Sequence, residues 1–443
     1  MKNQNISQIK STLQNLQIEA LAFRTKFSLR RAQKITATSF LISFFNLMIS
    51  GNYSLRLWAS QLSALNGVTV SFQALAKKLD FRHAPFFHEL FHRVLTSSIH
   101  KGLNFEVRKL FKHFNRVIVE DSTCFKLPQA LIEFFPGARL PHGRKATARL
   151  HLRIYLKRNT YGAIAIRNYC QNDQTYAADV LKCLKKGDLL IRDLGYWVID
   201  VFRSICNRKA YFLSRLNIGT HVLNPVTQQV IDLVHLLKKK DGQGITQIDI
   251  PVLLGKDHLL PLRLVGVKLN EVNTTKRRKM LKKNRHKDIN ISPKAWYLMS
   301  WNLFITNVPS EVWSTHSIYN AYNLRWHIEM IFKCWKSKFK FREFFKYCHG
   351  RNPVKPEIIL LLLLTWFALF YVPMFNSYAN QIMKRFHLIL SPFRFADFLR
   401  THFYLFSSPN KYKVLKLLSY YACYDKRYDR LNHFEKLYMN FLS

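Results

Sequence analysis

Arg116-Val117-Ile118-Val119-Glu120-Asp121 is the stretch from which the fold is read. Its β-branched run suits a buried strand, and the strand ends in acid. Asp188-Leu189-Leu190-Ile191-Arg192-Asp193 repeats the pattern. Between them, Arg149 to Leu156 alternates apolar and polar (Leu150, Leu152, Ile154, Leu156), the pattern of a half-buried strand. Ala163 to Arg167 is a further short strand, Tyr176 to Lys186 and Val198 to Cys206 have a helical period, and Tyr211 to Leu216 is again a strand. The order strand, strand, strand, helix, strand, helix, strand predicts an α/β fold with mixed pairing. Asp121 and Asp193 then follow neighbouring strands, where carboxylates converge at one sheet edge. Converging carboxylates bind hard ions such as Mg²⁺ or Mn²⁺. A single Asp at a strand end is equally a turn former. Acids are scarce, with 26 Asp+Glu in 443 residues, so two at strand ends are poorly explained as solvation.

Farther along, Tyr322-Asn-Leu-Arg325-Trp326-His-Ile-Glu329-Met-Ile-Phe-Lys-Cys-Trp-Lys336 has a helical period within Thr315 to Phe341. At about 100° per residue, Arg325, Glu329 and Lys336 fall within about 60° of Tyr322 on one stripe. Ile328, Ile331, Phe332 and Trp335 form the apolar stripe beside it. One carboxylate thus stands among an Arg, a Lys and a Tyr. A row of surface ion pairs gives the same spacing. The sharper reading is a metal-binding acid flanked by phosphate-gripping cations.

The spacing Tyr-x2-Arg-x3-Glu-x6-Lys resembles the signature of a group of bacterial insertion-sequence transposases, the insertion-sequence-four family, of the DDE class with an RNase H-like catalytic core. Asp121-Ser122-Thr123 resembles the region of that family's first catalytic Asp, and Asp193-Leu194-Gly195-Tyr196 its D-x-G-Y/F pattern for the second. Ala148-Arg149-Leu150-His151-Leu152 resembles the strand after the first Asp motif. The likeness covers roughly residues 110 to 345. It implies an RNase H-like mixed sheet flanked by helices and interrupted by a β-rich insertion. It implies catalytic, metal-holding roles for Asp121, Asp193 and Glu329 with two Mg²⁺ or Mn²⁺ ions, and DNA contacts from Tyr322, Arg325 and Lys336. Trp326 and Trp301 are its candidates for stacking a flipped base. The implied activity is cut-and-paste transposition on double-stranded DNA, both transposon ends and target, by a homodimer in the bacterial cytoplasm at the nucleoid. A DNA-binding protein of the same fold without transposition, and a related nuclease, are the alternatives.

The remaining chain is read around that core. Residues 1–110 are expected to be a helical DNA-binding domain, 111–216 and 311–375 the two parts of the core, 217–310 the insertion, and 376–443 a helical region for dimerisation. In the first segment, Ser54 is expected to cap a helix with Leu55, Trp58, Leu62 and Leu65 on one face. Asn66-Gly67 is expected to turn the chain, and Phe72, Leu75, Ala76 and Leu79 to line a second helix, with Lys77 and Lys78 outward. A helix-turn-helix and an ordinary packing pair are both compatible with this. In the insertion, Val222 to Leu237 is partly helical, while Ile245 to Leu253, Leu259 to Val267 and Trp296 to Asn307 have strand texture. Lys276 to Lys287, KRRKMLKKNRHK, holds eight Lys or Arg and no acid, either a solvated loop or a phosphate contact.

Composition agrees with this reading and removes others. The net charge is +43 and 48% of residues are hydrophobic. An apolar share of that size excludes a disordered basic tail, and the charge points to a polyanionic partner. Seven cysteines, odd in number and without a C-x-x-C pair, argue against a disulfide framework or zinc ribbon. The polar start, MKNQNISQIKSTLQ, has no secretory h-region. Ile358 to Phe375 is uncharged and near spanning length, but is read as a buried core helix, so no membrane partner is expected. His88-Glu89-Leu90-Phe91-His92 matches H-E-x-x-H of zinc peptidases, with Glu106 or Glu120 as conceivable third ligands in no recognisable context.

Overall fold

The computed structural model describes residues 11–29, 34–96, 109–158, 160–255, 259–283, 291–348, 350–407 and 410–424. Nine strands form one sheet: β1 (Val117–Lys126), β2 (Thr147–Tyr155), β3 (Thr160–Asn168), β4 (Leu189–Arg192), β5 (Tyr211–Arg215), β6 (Val222–Leu223), β7 (Gln247–Leu254), β8 (Leu260–Lys268) and β9 (Trp301–Thr306). Their order is β3-β2-β1-β4-β5-β9-β8-β7-β6. β1, β2 and β3 pair antiparallel, while β1, β4 and β5 are parallel neighbours. Three antiparallel strands followed by two parallel ones, in the order 3-2-1-4-5, is the RNase H-like arrangement. The chain reaches β5 from β4 through the helix Ile199–Asn207, as a parallel pair requires.

β9, β8, β7 and β6 continue the same sheet antiparallel from β5. The strand segments of 217–310 therefore prolong the core sheet. Two readings there need correction. Residues 293–298 form a short helix, begun by Pro293 at its first turn and capped by Ser292, and the strand starts only at Trp301. The basic run lies in a helix, Glu271–Lys283, rather than a loop; its last residues, 284–287, fall outside the described ones.

Strand alternation splits the core in two. Val117, Val119, Leu189, Ile191 and Leu213 face one layer, built from the N-terminal helices and the helices after residue 315. Ile118, Leu190 and Phe212 face the other, with Val201, Phe202 and Ile205. In the first layer Trp58 of the helix Leu55–Asn66 donates its indole N–H to Ser43 at 2.9 Å. Ser54 is the N-cap residue there but makes no side-chain cap bond. Gly67 ends the helix at φ +67°, a left-handed geometry that glycine adopts without strain. The next helix is Phe72–Lys78. Lys77 is exposed, but Lys78 turns inward, lying 4.5 Å over the Phe27 ring and bonding the Phe27 carbonyl.

The apolar segment after residue 355 runs as a continuous helix over Lys355–Phe386, with a π turn at Phe367–Tyr371. The turn lies just ahead of Pro373, which offers no N–H to the carbonyl four residues back. Ile358 to Leu364 are all buried in the first layer. Among the described residues this is the one helix long and apolar enough to cross a membrane, and 72% of its most apolar window is buried within the protein.

Candidate active site

Alternation also places the acids. Val119 is paired with Ile191 and Glu120 with Arg192. β1 runs on to Lys126, so Asp121 stands inside its strand rather than at its end, whereas Asp193 does follow β4; each lies two residues beyond Val119 or Ile191, and the strand period carries both toward the helical layer. The helix Trp326–Lys333 packs there through buried Ile328 and Phe332 and carries Glu329. Thr315 to Phe341 is not one helix. Thr315–Asn323 and Trp326–Lys333 are joined by a tight turn in which the Arg325 N–H donates to Tyr322 O at 3.0 Å and the Ile328 N–H to Arg325 O at 3.1 Å. A π turn over Cys334–Lys338 follows. The stripe survives these changes of pitch.

Arg325 is the centre of the site. Its Nη1 lies 3.0 Å from Asp121 Oδ2, and its Nη2 lies 3.9 Å from Asp193 Oδ1 and bonds Glu329 Oε1. Tyr322, 7% exposed, donates its hydroxyl to Asp193 Oδ1 at 3.2 Å. The Ser122 N–H donates to Asp121 Oδ1 at 2.7 Å. Lys336 lies 5.5 Å from the Phe125 ring centroid; burial lowers its pKa, against the opposing charges of Cys124 and Asp121. Five of the expected residues therefore meet at one place, and Lys336 stands beside them.

Burial pushes the Asp121 carboxyl up to about 7; Arg325 and the Ser122 N–H oppose the rise, and the charges of Asp193 and Glu329 add to it. Burial works against the Arg325 charge, but Tyr322, Asp193, Glu329 and Asp121 outweigh it and the pKa rises. Three carboxylates gathered this closely need a cation between them. The donor set is all oxygen, which suits a hard divalent ion. Among the described residues no three such ligands already stand at ion-binding spacing. The guanidinium fills the space between the acids, so loading an ion requires it to turn aside.

One expectation is not met, and a second falls outside the described residues. Trp301 is 1% exposed in the second core layer, so it is not offered to a base. The side chain of Trp326 lies outside the described residues. The H-E-x-x-H match also dissolves. His88 pairs with Glu357 at 3.4 Å, and Glu89 with Arg24 at 2.8 Å and Arg93 at 3.6 Å. Glu120 is buried between Arg153 and Arg192, and Glu106 lies outside the described residues.

The supporting residues were missed in the sequence. Arg149, His151 and Arg153 alternate along β2 and read as a solvent face, yet His151 is 2% and Arg153 6% exposed. Arg149 reaches Ser122 Oγ and Asp173 Oδ1, each at 3.2 Å. His151 Nδ1 is 2.9 Å from the Tyr196 hydroxyl, and its ring stacks on Tyr176 at 4.1 Å. This network backs both acid motifs, since Ser122 follows Asp121 and Tyr196 belongs to the Asp193 turn. A Cβ at Gly195 would lie 2.7 Å from Asp173 Oδ2, which explains the glycine there. Three polar positions at period two in a strand with apolar ends were the available signal.

A family model described as a transposase DDE domain matches residues 112–367, more than half of the chain. The chain belongs to the transposase DDE domain family. The matched span begins just before β1 and closes within the buried helix, so all three acids lie inside the DDE domain. The transposase for insertion sequence element IS231B of Bacillus thuringiensis subsp. berliner is 29% identical over 298 residues, covering 63% of this chain and 62% of that protein. The IS231D transposase of Bacillus thuringiensis subsp. finitimus is 30% identical over 302 residues, 64% and 62% of the two chains. The IS1151 transposase of Clostridium perfringens is 28% identical over 355 residues, 76% and 74%. The chain thus spans less than two thirds of the length of the IS231B and IS231D proteins. A piggyBac transposase in a synaptic complex with hairpin DNA aligns over 91% of this chain and 81% of its own, at a TM-score of 0.38 and 8% identity, a likeness too slight to carry fold or function.

Proposed function

We propose that this protein is an insertion-sequence transposase that cleaves DNA at terminal inverted repeats and joins the freed ends to a target. The convergence of Asp121, Asp193 and Glu329 on one guanidinium carries this reading. Asp121, Asp193 and Glu329 would hold Mg²⁺ or Mn²⁺, two ions per site. Bound there, the ions would activate water or a DNA 3′-hydroxyl and neutralise the leaving 3′-oxygen. Arg325, once turned from the acids, would grip a backbone phosphate beside Tyr322 and Lys336. Charge-assisted Arg–phosphate bonds position the strand for in-line displacement. No Ser or Cys nucleophile is required. The helical segment before β1 is assigned to end binding and the C-terminal helices to a homodimer. The working compartment is the cytoplasm, at the nucleoid.

The test is cleavage of a labelled duplex taken from the flank of the protein's own gene, with Mg²⁺, Mn²⁺ or EDTA, beside Asp121→Ala. Metal-dependent cutting at one terminal position, absent from the variant, is expected. Tight binding without cutting in any metal sinks the enzymatic reading.

A further inference from the structure

The helix Glu271–Lys283 divides its basic residues between two jobs. Its inner face holds buried Thr274 with Arg277 and Arg278. Arg277 Nη1 donates to Trp301 O at 3.0 Å, Met299 O at 3.3 Å and Asn302 Oδ1 at 3.2 Å. Arg278 donates to Trp296 O at 3.2 Å and stacks 4.9 Å from the Trp296 ring centroid. The arginines thus clamp the helix onto the chain from Trp296 to Asn302. Lys276, Lys279 and Lys282 are exposed, with Lys282 Nζ 5.0 Å from the Trp296 ring centroid. No carboxylate among the described residues pairs with these three lysines, and after Glu271 the helix contains no acid. Like charges three and four residues apart weaken a helix unless a counter-charge is supplied.

The fold also says where this face lies. β9 runs antiparallel to β5, with Thr306 opposite Leu213 and Phe304 opposite Arg215. Trp301, at the start of β9, therefore lies three residues beyond the level of Arg215, past the strand end at which Asp193 stands. Two strand spacings, β4 to β5 to β9, amount to about 10 Å, and the three residues from Phe304 to Trp301 add about 10 Å at right angles, which makes about 14 Å. The radius of the helix with its side chains adds about 5–6 Å. At 3.4 Å per base pair, the resulting span of about 19–20 Å is roughly 6 base pairs of duplex.

We propose that Lys276, Lys279 and Lys282 form a docking face for the phosphate backbone of a DNA duplex, roughly 6 base pairs from the phosphate held at the carboxylates. The distance from the cut rests on the transposase reading; the docking itself does not. The face grips backbone and reads no bases, because lysine contacts here are point charges on exposed stems.

The test uses the full chain and a fluorescent random-sequence duplex in EDTA, titrated from 0.1 to 0.3 M salt. Three phosphate contacts at about 0.9 each predict that Lys276→Ala/Lys279→Ala/Lys282→Ala lowers the slope of log K against log salt by about 2–3. Affinity at 0.1 M salt should fall about tenfold or more, and the triple Lys→Arg variant should restore it. Lys276→Ala/Lys279→Ala is the milder form should the triple variant fold poorly, with a slope change of about 2. An unchanged slope in a folded variant overturns the proposal. A reduced slope in a protein that cuts no terminal duplex supports the docking face while rejecting the transposase reading. Where the wild type does cut, a backbone footprint should lose protection about 6 base pairs from the cut in the variant; retained protection overturns the placement.

Discussion

At the residue scale, the site is a contest between one guanidinium and three carboxylates. Glu329 is the acid that the strand argument does not supply, so it tests the helix's contribution directly. Glu329→Gln keeps the shape and removes one charge. Cleavage should fall on the order of a thousandfold or more, because the group acts in the reacting assembly. Duplex binding should stay within about twofold, since the phosphate grip comes from cations. Binding lost together with cleavage would make the stripe structural. His151 gives a stability test separate from the acids. Burial pushes its pKa down from 6.5 to about 4; Arg149 and Arg167 add to this, and Asp173 and Glu120 oppose it. Between those two values the unfolded chain binds a proton that the folded chain refuses. The His151 contribution to stability is therefore full above pH 6.5 and is lost as pH falls toward 4. The size of the effect is up to about 3 kcal/mol. Asp121, whose raised pKa acts with the opposite sign over this range, is common to both proteins, so the test is the difference in urea midpoint between the wild type and His151→Gln, which should change as pH falls from 6.5 to 4; parallel curves would refute the assignment.

At the element scale, two short turns hold the site. The turn after Asp193 brings Gly195 against Asp173 and Tyr196 against His151. Gly195→Ala would push Asp173 away from Arg149 and shift Asp193. A loss of about 1–3 kcal/mol in stability is expected, with cleavage reduced further than duplex binding. Equal losses in both assays would mean that the turn only supports the fold. Beneath the acids, Glu120 accepts from Arg153 Nε at 2.5 Å and from Arg192 Nε at 2.7 Å. Glu120→Ala leaves the buried Arg192 guanidinium without a carboxylate and Arg153 with Asp179 alone, at 3.4 Å, and should cost about 3–5 kcal/mol in chemical denaturation. A value under 1 kcal/mol would mean that water replaces the carboxylate. These elements also show what was legible in advance. The Val119–Asp121 and Ile191–Asp193 repeats could be read because strand period and burial point the same way. The Tyr322 to Lys336 stripe could be read because the tight turn at Arg325 and the later π turn bend the helix without moving the stripe off the acids. Glu120, Arg149, His151 and Arg153 could not, since a buried ion-pair network and a solvent face leave the same alternation. The basic helix was hidden because its lysines suggest a loop, while its anchors are backbone carbonyls that no sequence pattern displays. Trp301 had the right residue type for stacking, but its depth is set by β5 and β8 on either side.

At the scale of the whole molecule, positive charge and apolar bulk are segregated. Two acids are paired inward with arginines, Glu120 with Arg153 and Arg192 and Asp188 with Arg116, while Asp249 pairs with Arg263 nearer the surface. The net +43 is therefore carried largely by outward cations, which any polyanion will attract, nucleic acid and anionic lipid alike. The helix Lys355–Phe386 has the length and composition to confuse those two partners. Its packing separates them. Trp366 lies 4.8 Å from Phe339, Phe367 5.7 Å from Trp335, and Phe370 6.2 Å from Phe45, centroid to centroid. A membrane span would have to withdraw these rings and expose the faces they cover in the first core layer. Burying each large side chain stabilises by about 1.5–3 kcal/mol, so withdrawal would exceed the whole stability of a typical domain. Surface attraction, by contrast, is screened within about 3 Å at 1 M salt. Protein that sediments with membranes at low salt should therefore move to the supernatant when the lysate is brought to 1 M salt without detergent. Retention in the membrane fraction after both high salt and alkaline carbonate would place Lys355–Phe386 in the bilayer and dismantle the core described for it.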